Sequence, residues 1–138
     1  MGSIGAHAVA DTPEGRRYVV FFVDDEDALR LVTKRLLAKR GFDVIEAASA
    51  AEASEVIESY EGPIDVLLMD VNLPDGWGSL IAQRLRDVRP EMVVVYTTGF
   101  ADSDPILSAA LADAEWVVRK PFTGDQLADV LRRAIEES

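Results

Sequence analysis

Residues 19–30 read VVFFVDDEDALR. Five apolar residues, Val19 to Val23, run straight into Asp24, Asp25, Glu26 and Asp27. An unbroken apolar run of this length predicts a strand covered on both faces, which is the habit of parallel sheets. Its abrupt end in carboxylates is the informative part. Two unit charges ~4 Å apart cost on the order of 4 kcal/mol at an effective dielectric of about 20. Such a cluster requires abundant water or a bound cation.

Working outward, the same alternation repeats down the chain. Strand Tyr18–Val23 is followed by a helix over 27–40, with Ala28, Val32, Leu36, Leu29 and Leu37 as its apolar stripe and Gly41 as its stop. A strand over 42–47 leads to a helix over 50–60, with Ala53, Val56 and Ile57 inward. A third buried strand, 64–69, ends at Asp70, and NLPDGWG (72–78) reads as a loop from its Pro and Gly content. A helix over 79–88 places Leu80, Ile81 and Leu85 on one side. Then come a strand over 92–97, a short helix over 105–112 and a strand over 116–118. The closing helix, 123–136, repeats apolar residues at Leu127, Val130, Leu131, Ala134 and Ile135. Strands alternating with helices predict an α/β fold: a five-stranded parallel sheet with helices on both faces. Residues 1–17, small and polar, read as a flexible tail or linker, leaving 18–138 as one domain.

Composition narrows the function classes. The formal charge of −11 argues against direct nucleic-acid binding, which needs clustered Lys and Arg. There is no cysteine, so disulfides, thiolate metal sites and cysteine nucleophiles are excluded. The one histidine, His7, lies in the tail, so a histidine-based triad is not expected. No apolar run approaches the ~20 residues that span a bilayer, and no signal peptide is evident. A cytoplasmic protein without a membrane partner is the expectation.

In an open parallel sheet, ligands bind at the carboxyl ends of the strands, near the point where strand order reverses. That end collects Asp24 and Asp25, Asp70, Thr97 and Thr98, and Lys120. Each alone has a plain explanation. Asp24 and Asp25 suit a helix N-terminus, Asp70 suits a loop start, Thr98 precedes a glycine turn, and Lys120 suits a solvated surface. Together they describe a phosphoryl-transfer site. Carboxylates converging from two strands suit Mg²⁺, which prefers oxygen ligands. A hydroxyl and an ammonium complete the binding of phosphoryl oxygens, and a carboxylate can itself be the nucleophile.

VVFFVDDE, VLLMDVNLPDGWG, VVVYTTGF and VVRKPF resemble the signature segments of the response-regulator receiver domain, in that family's order and spacing. The resemblance implies a flavodoxin-like, doubly wound sheet of order 2-1-3-4-5. It implies Asp70 as phosphoacceptor, Asp25 as direct Mg²⁺ ligand and Asp24 as its neighbour acting through water. Asn72 would offer its backbone carbonyl to the metal. Thr98, rather than Thr97, would be the switch hydroxyl, and Lys120 the phosphate-binding lysine before a cis proline. One position departs from the pattern: where the family often carries Tyr or Phe, three residues before the lysine, this chain has Val117. Strand alternation sends Trp116 to the opposite face, so Trp116 is read as packing.

The implied function is a phosphorylation-dependent switch of a two-component system, a phosphoacceptor and not an enzyme in the usual sense. Its expected partners are a histidine kinase or histidine phosphotransfer protein, and a downstream protein reached through the face of 105–112, 116–118 and 123–136. Two alternatives stand beside it: a pseudo-receiver interaction module that never takes phosphate, and a Mg²⁺-dependent phosphatase on a similar sheet.

Overall fold

Every residue of β1 (Tyr18–Val23) is buried, as an apolar run flanked on both sides requires. The structure, a computed structural model, describes Thr12, residues 15–99 and residues 114–138. After β1 come α1 (Asp27–Ala38), β2 (Phe42–Ala47), α2 (Ala50–Ser59) and β3 (Val66–Asp70). The short strands β4 (Asn72–Leu73) and β5 (Gly76–Trp77) lead into α3 (Gly78–Val88) and β6 (Val93–Thr98). Among the described residues the chain then resumes with β7 (Val117–Arg119) and α4 (Gly124–Glu137). The expected helix at 105–112 lies outside the described residues.

The main sheet is parallel throughout, in the order β2-β1-β3-β6-β7. With β4 and β5 set apart as a separate antiparallel ribbon, this is the expected 2-1-3-4-5. Alternation along the central strands feeds two cores. Val19, Phe21 and Val23 join Leu67 and Met69 beneath Ala53 and Ile57 of α2 and Ile81 and Leu85 of α3. Val20 and Phe22 join Val66 and Leu68 beneath Leu37 of α1 and Leu127 and Leu131 of α4. The chain runs from β1 out to β2 and back across to β3. The order therefore reverses beside β1, and the carboxyl ends of β1 and β3 lie side by side there.

Several local expectations are corrected. Helix α1 stops at Ala38, not at residue 40, and the chain leaves through Gly41 at φ +93°, a left-handed conformation that glycine adopts without steric cost. Val32 faces out, 51% exposed, and Ala28 is exposed as well; the inward line is Leu29, Thr33 and Leu37. Two stripes, each stepping by four residues and offset by one, overlap on this helix, and packing on the sheet and α4 selects the one that contains a threonine. In α3, Leu80 is 57% exposed, and the inward set is Gly78, Ile81, Ala82 and Leu85. Gly78 starts this helix against the end of β3: a Cβ there would lie 2.3 Å from the Asp70 carbonyl oxygen.

The stretch read as a loop, 72–78, is instead a tight ribbon over 72–77 turning at Pro74 and Asp75, with Gly78 already the first residue of α3. The closing helix begins behind Thr123, whose hydroxyl accepts the Gln126 N–H (3.0 Å) while Gln126 accepts the Thr123 N–H (2.9 Å). Two residues of the expected tail are held by the body. Arg16 grips Asp65 through two bonds (2.6 and 2.9 Å), and Arg17 donates to the carbonyls of Ala38 and Phe42.

Candidate functional site

The strand ends deliver their side chains to one place. Asp24 continues β1 by one residue, its N–H bonded to the Ala47 carbonyl of β2 (3.2 Å). Its carboxylate is fully buried, with Oδ1 accepting the Glu26 N–H (2.9 Å) and Oδ2 accepting Lys120 Nζ (2.8 Å). Asp70 is the last residue of β3 and 7% exposed. Its Oδ1 accepts the Asn72 N–H (3.1 Å), and its Oδ2 takes a second bond from Lys120 Nζ (3.2 Å). Asp25, on the turn after Asp24, is exposed, yet one oxygen each from Asp24, Asp25 and Asp70 lies within 4.8 Å of the others.

Lys120 arrives from the far side. It follows β7, its N–H bonded to the Thr98 carbonyl (2.8 Å), and its bond to Pro121 is cis. The sheet register sets Thr97 opposite Asp70, with Thr98 one residue further along. Both threonines are buried, and Thr97 Oγ1 finds no hydrogen-bond partner among the described residues. Asn72 is exposed and contributes its N–H to Asp70. Trp116 packs into the α4-side core with Val118, with the Arg133 guanidinium 5.6 Å over its ring, while Val117 is exposed. The alternation that separates Trp116 from Val117 is thus present.

The electrostatics are unbalanced. Burial pushes the Asp70 carboxyl up; the Asn72 N–H and the Lys120 ammonium pull it down, Asp24 pushes up again, and the balance lies above the ordinary carboxylate value. Burial alone would lower Lys120, but the bonds and charges of Asp24 and Asp70 outweigh it and hold the ammonium above its usual value. A single ammonium bridges two of the three converging carboxylates. An all-oxygen donor set with excess negative charge, anchored on two strand ends, fits a hard divalent cation.

A cavity of about 320 Å³ opens beside Lys120, lined by Glu26, Leu29, Gly99, Pro121 and Phe122. A larger cleft of about 470 Å³ lies between α3 and β6, away from the carboxylates. Of the two, only the smaller shares a lining residue, Lys120, with the carboxylate cluster.

Two residues at this end escaped the sequence reading. Arg30 of α1 donates to the Asp24 carbonyl (2.5 Å), to Glu46 (3.1 Å) and to Asp27. Only its spacing of three from Asp27 gave any signal. Asp75, in the ribbon, accepts the N–H groups of Ala50 (3.0 Å) and Ala51 (3.2 Å) at the start of α2. No local pattern marks a cap supplied from 25 residues away.

Residues 20–132 match the family model described as the response regulator receiver domain. The chain is 35% identical over 119 residues to the sensor kinase CckA of Brucella abortus, covering 86% of this chain and 12% of that kinase. It is 23% identical over 117 residues to the chemotaxis protein CheY of Bacillus subtilis, covering 84% of this chain and 96% of that protein. A crystal structure of a receiver domain protein (CheY-like) from Methanospirillum hungatei JF-1 superposes with a TM-score of 0.74 at 28% identity, covering 87% of this chain and 94% of that one.

Proposed function

Because the chain belongs to the response regulator receiver domain family, we propose that it is a phosphorylation-dependent signalling switch in which Asp70 accepts the phosphoryl group. The observation that carries this reading is the Lys120 ammonium, bonded at once to Asp24 and Asp70 at the carboxyl ends of β1 and β3. Residues 18–138 act as the receiver unit. The donor is a phosphohistidine on a histidine kinase or a histidine phosphotransfer protein.

In the transfer, an Asp70 carboxylate oxygen attacks phosphorus and forms a P–O bond as the donor's P–N bond breaks. The electron pair stays on the imidazole nitrogen, which takes up a proton from water. Lys120, poised between the two carboxylates, shifts its ammonium toward the phosphoryl oxygens as charge moves onto them. Asp25, Asp70 and the Asn72 carbonyl, with Asp24 beside them, would hold Mg²⁺, which would supply further charge neutralisation in the transfer. Asp24, fully buried and fixed by Glu26 and Lys120, would serve that ion through water. Leu29 and Phe122, beside Lys120, offer the donor an apolar ledge.

The product is an acyl phosphate, so the chain takes part in its own modification without turning over a separate substrate. Thr98 is the hydroxyl that moves toward the phosphoryl group. Its neighbour across the sheet is Arg119 of β7, and the output reaches a downstream protein through β7 and α4. The test is exposure to acetyl phosphate with Mg²⁺, read by intact-mass spectrometry. Wild type gains one phosphoryl group and Asp70→Asn gains none; equal labelling of the variant would place the acceptor elsewhere.

A further inference from the structure

We infer that Arg30 is a positioning residue for the cation-binding carboxylates, acting through the peptide that joins Asp24 to Asp25; the inference rests on the cation reading of that cluster proposed above. Arg30 sits in the first turn of α1 with its side chain only 12% exposed. Its three nitrogens are each committed. Nε bonds Glu46 Oε1 (3.1 Å), Nη2 bonds Asp27, and Nη1 bonds the Asp24 carbonyl oxygen (2.5 Å). Glu46 belongs to β2, pairs in register with Phe22, and has its other oxygen held by Lys34 Nζ (3.1 Å). The guanidinium is thus anchored to a strand and a helix before it reaches the turn.

What it grips there is a backbone oxygen. A peptide unit is planar, so fixing its carbonyl fixes the plane and the direction in which the next residue leaves. The next residue is Asp25. The Asp24 carboxylate already has its own restraints from Glu26 and Lys120. The bond from Arg30 therefore bears on Asp25, whose oxygen must come within reach of those of Asp24 and Asp70 to share a cation.

A counter-charge role makes the opposite prediction. If Arg30 only offset nearby carboxylates, removing it would leave the cluster more negative and Mg²⁺ would bind more tightly. A positioning role makes removal weaken binding, and lysine cannot substitute, because an ammonium has no rigid fork to span three acceptors.

The test is calorimetric titration of the full chain with MgCl₂, well below the unfolding midpoint, for wild type, Arg30→Gln, Arg30→Lys, Asp25→Asn and Arg30→Lys combined with Asp25→Asn. Both single Arg30 variants are expected to bind about tenfold more weakly, the low end for loss of a group that orients a metal ligand. Adding Arg30→Lys to Asp25→Asn should cost nothing further, a non-additivity that a general loss of stability would not produce. Wild-type affinity in Arg30→Lys, tighter binding in Arg30→Gln, or fully additive losses would each overturn the positioning role while leaving the cation site intact. No Mg²⁺ binding by wild type would overturn the cation reading itself, and the role of Arg30 with it.

Discussion

Lys120 bonds a fully buried Asp24 at 2.8 Å and Asp70 at 3.2 Å. The proposed phosphoacceptor is thus the carboxylate with the looser hold on the ammonium. The consequence is a pH-dependent cost. The Asp70 carboxyl is held above its ordinary value, first by burial, so the folded chain binds that proton more tightly than the unfolded chain. Stability from this group is therefore present below the ordinary carboxylate value of 3.8. It declines as pH rises from there through the raised folded value, and is flat above. Asp70→Asn should remove this decline and raise the metal-free melting temperature at neutral pH. Thermal melts in EDTA across the acid-to-neutral range check it; a lower midpoint for the variant at pH 7 would show that Asp70 contributes more through Lys120 than it costs.

At the scale of elements, the ribbon after Asp70 is tied down at both ends. Gly78 packs its Cα against the Asp70 carbonyl, where no side chain fits, and donates its N–H to the Val71 carbonyl (2.7 Å). Asp75 reaches across to accept two N–H groups at the start of α2. Those bonds hold its carboxyl below the ordinary value, that of Ala50 contributing most. The sign is opposite to that of Asp70: this stabilisation is present above the unfolded carboxylate value and is lost as pH falls through the depressed one. Asp75→Ala should cost about 1 kcal/mol, the usual worth of a helix cap. Denaturant unfolding at pH 7 is the measurement, and the difference from wild type should shrink in acid. An undiminished difference in acid would mean that Asp75 acts through packing and not as an acceptor.

Across the whole molecule, a short path among the described residues leads from Asp70 toward the face proposed for output: Asp70 to β6 in register at Thr97, then Thr98 beside Arg119, and β7 against α4. Switching between states requires several kcal/mol of differential stabilisation. Charge-assisted hydrogen bonds from an ammonium and a hydroxyl to a phosphoryl group act on that scale. Thr98→Ala should therefore still accept beryllofluoride at Asp70 yet lose the amide NMR shifts that wild type shows in residues 117–137. The full wild-type pattern in the variant would remove Thr98 from the path. Val117, exposed and without an aromatic ring, is expected to contribute little to it.

What could be read from the chain alone was whatever is written locally and repeated. Apolar runs predicted buried parallel strands, the polar residue ending each run predicted the pocket, and the periodic apolar positions of 123–136 predicted α4. These signals survive without tertiary information because burial on two faces penalises unpaired polar groups inside a strand. Four motifs in series then identified the family. Tertiary packing alone decided the rest. It chose the Thr33 stripe of α1 over the Val32 stripe and turned Leu80 outward, since each helix offers overlapping faces and only the neighbour fixes one. It folded 72–77 into a ribbon and gave Asp75 a helix to cap. It set Arg30 against a carbonyl, a contact to backbone that no side-chain pattern encodes. It also joined Lys120 to Asp24 across 96 residues, because a bond between strand ends depends on the order of strands in the sheet and not on their order in the chain.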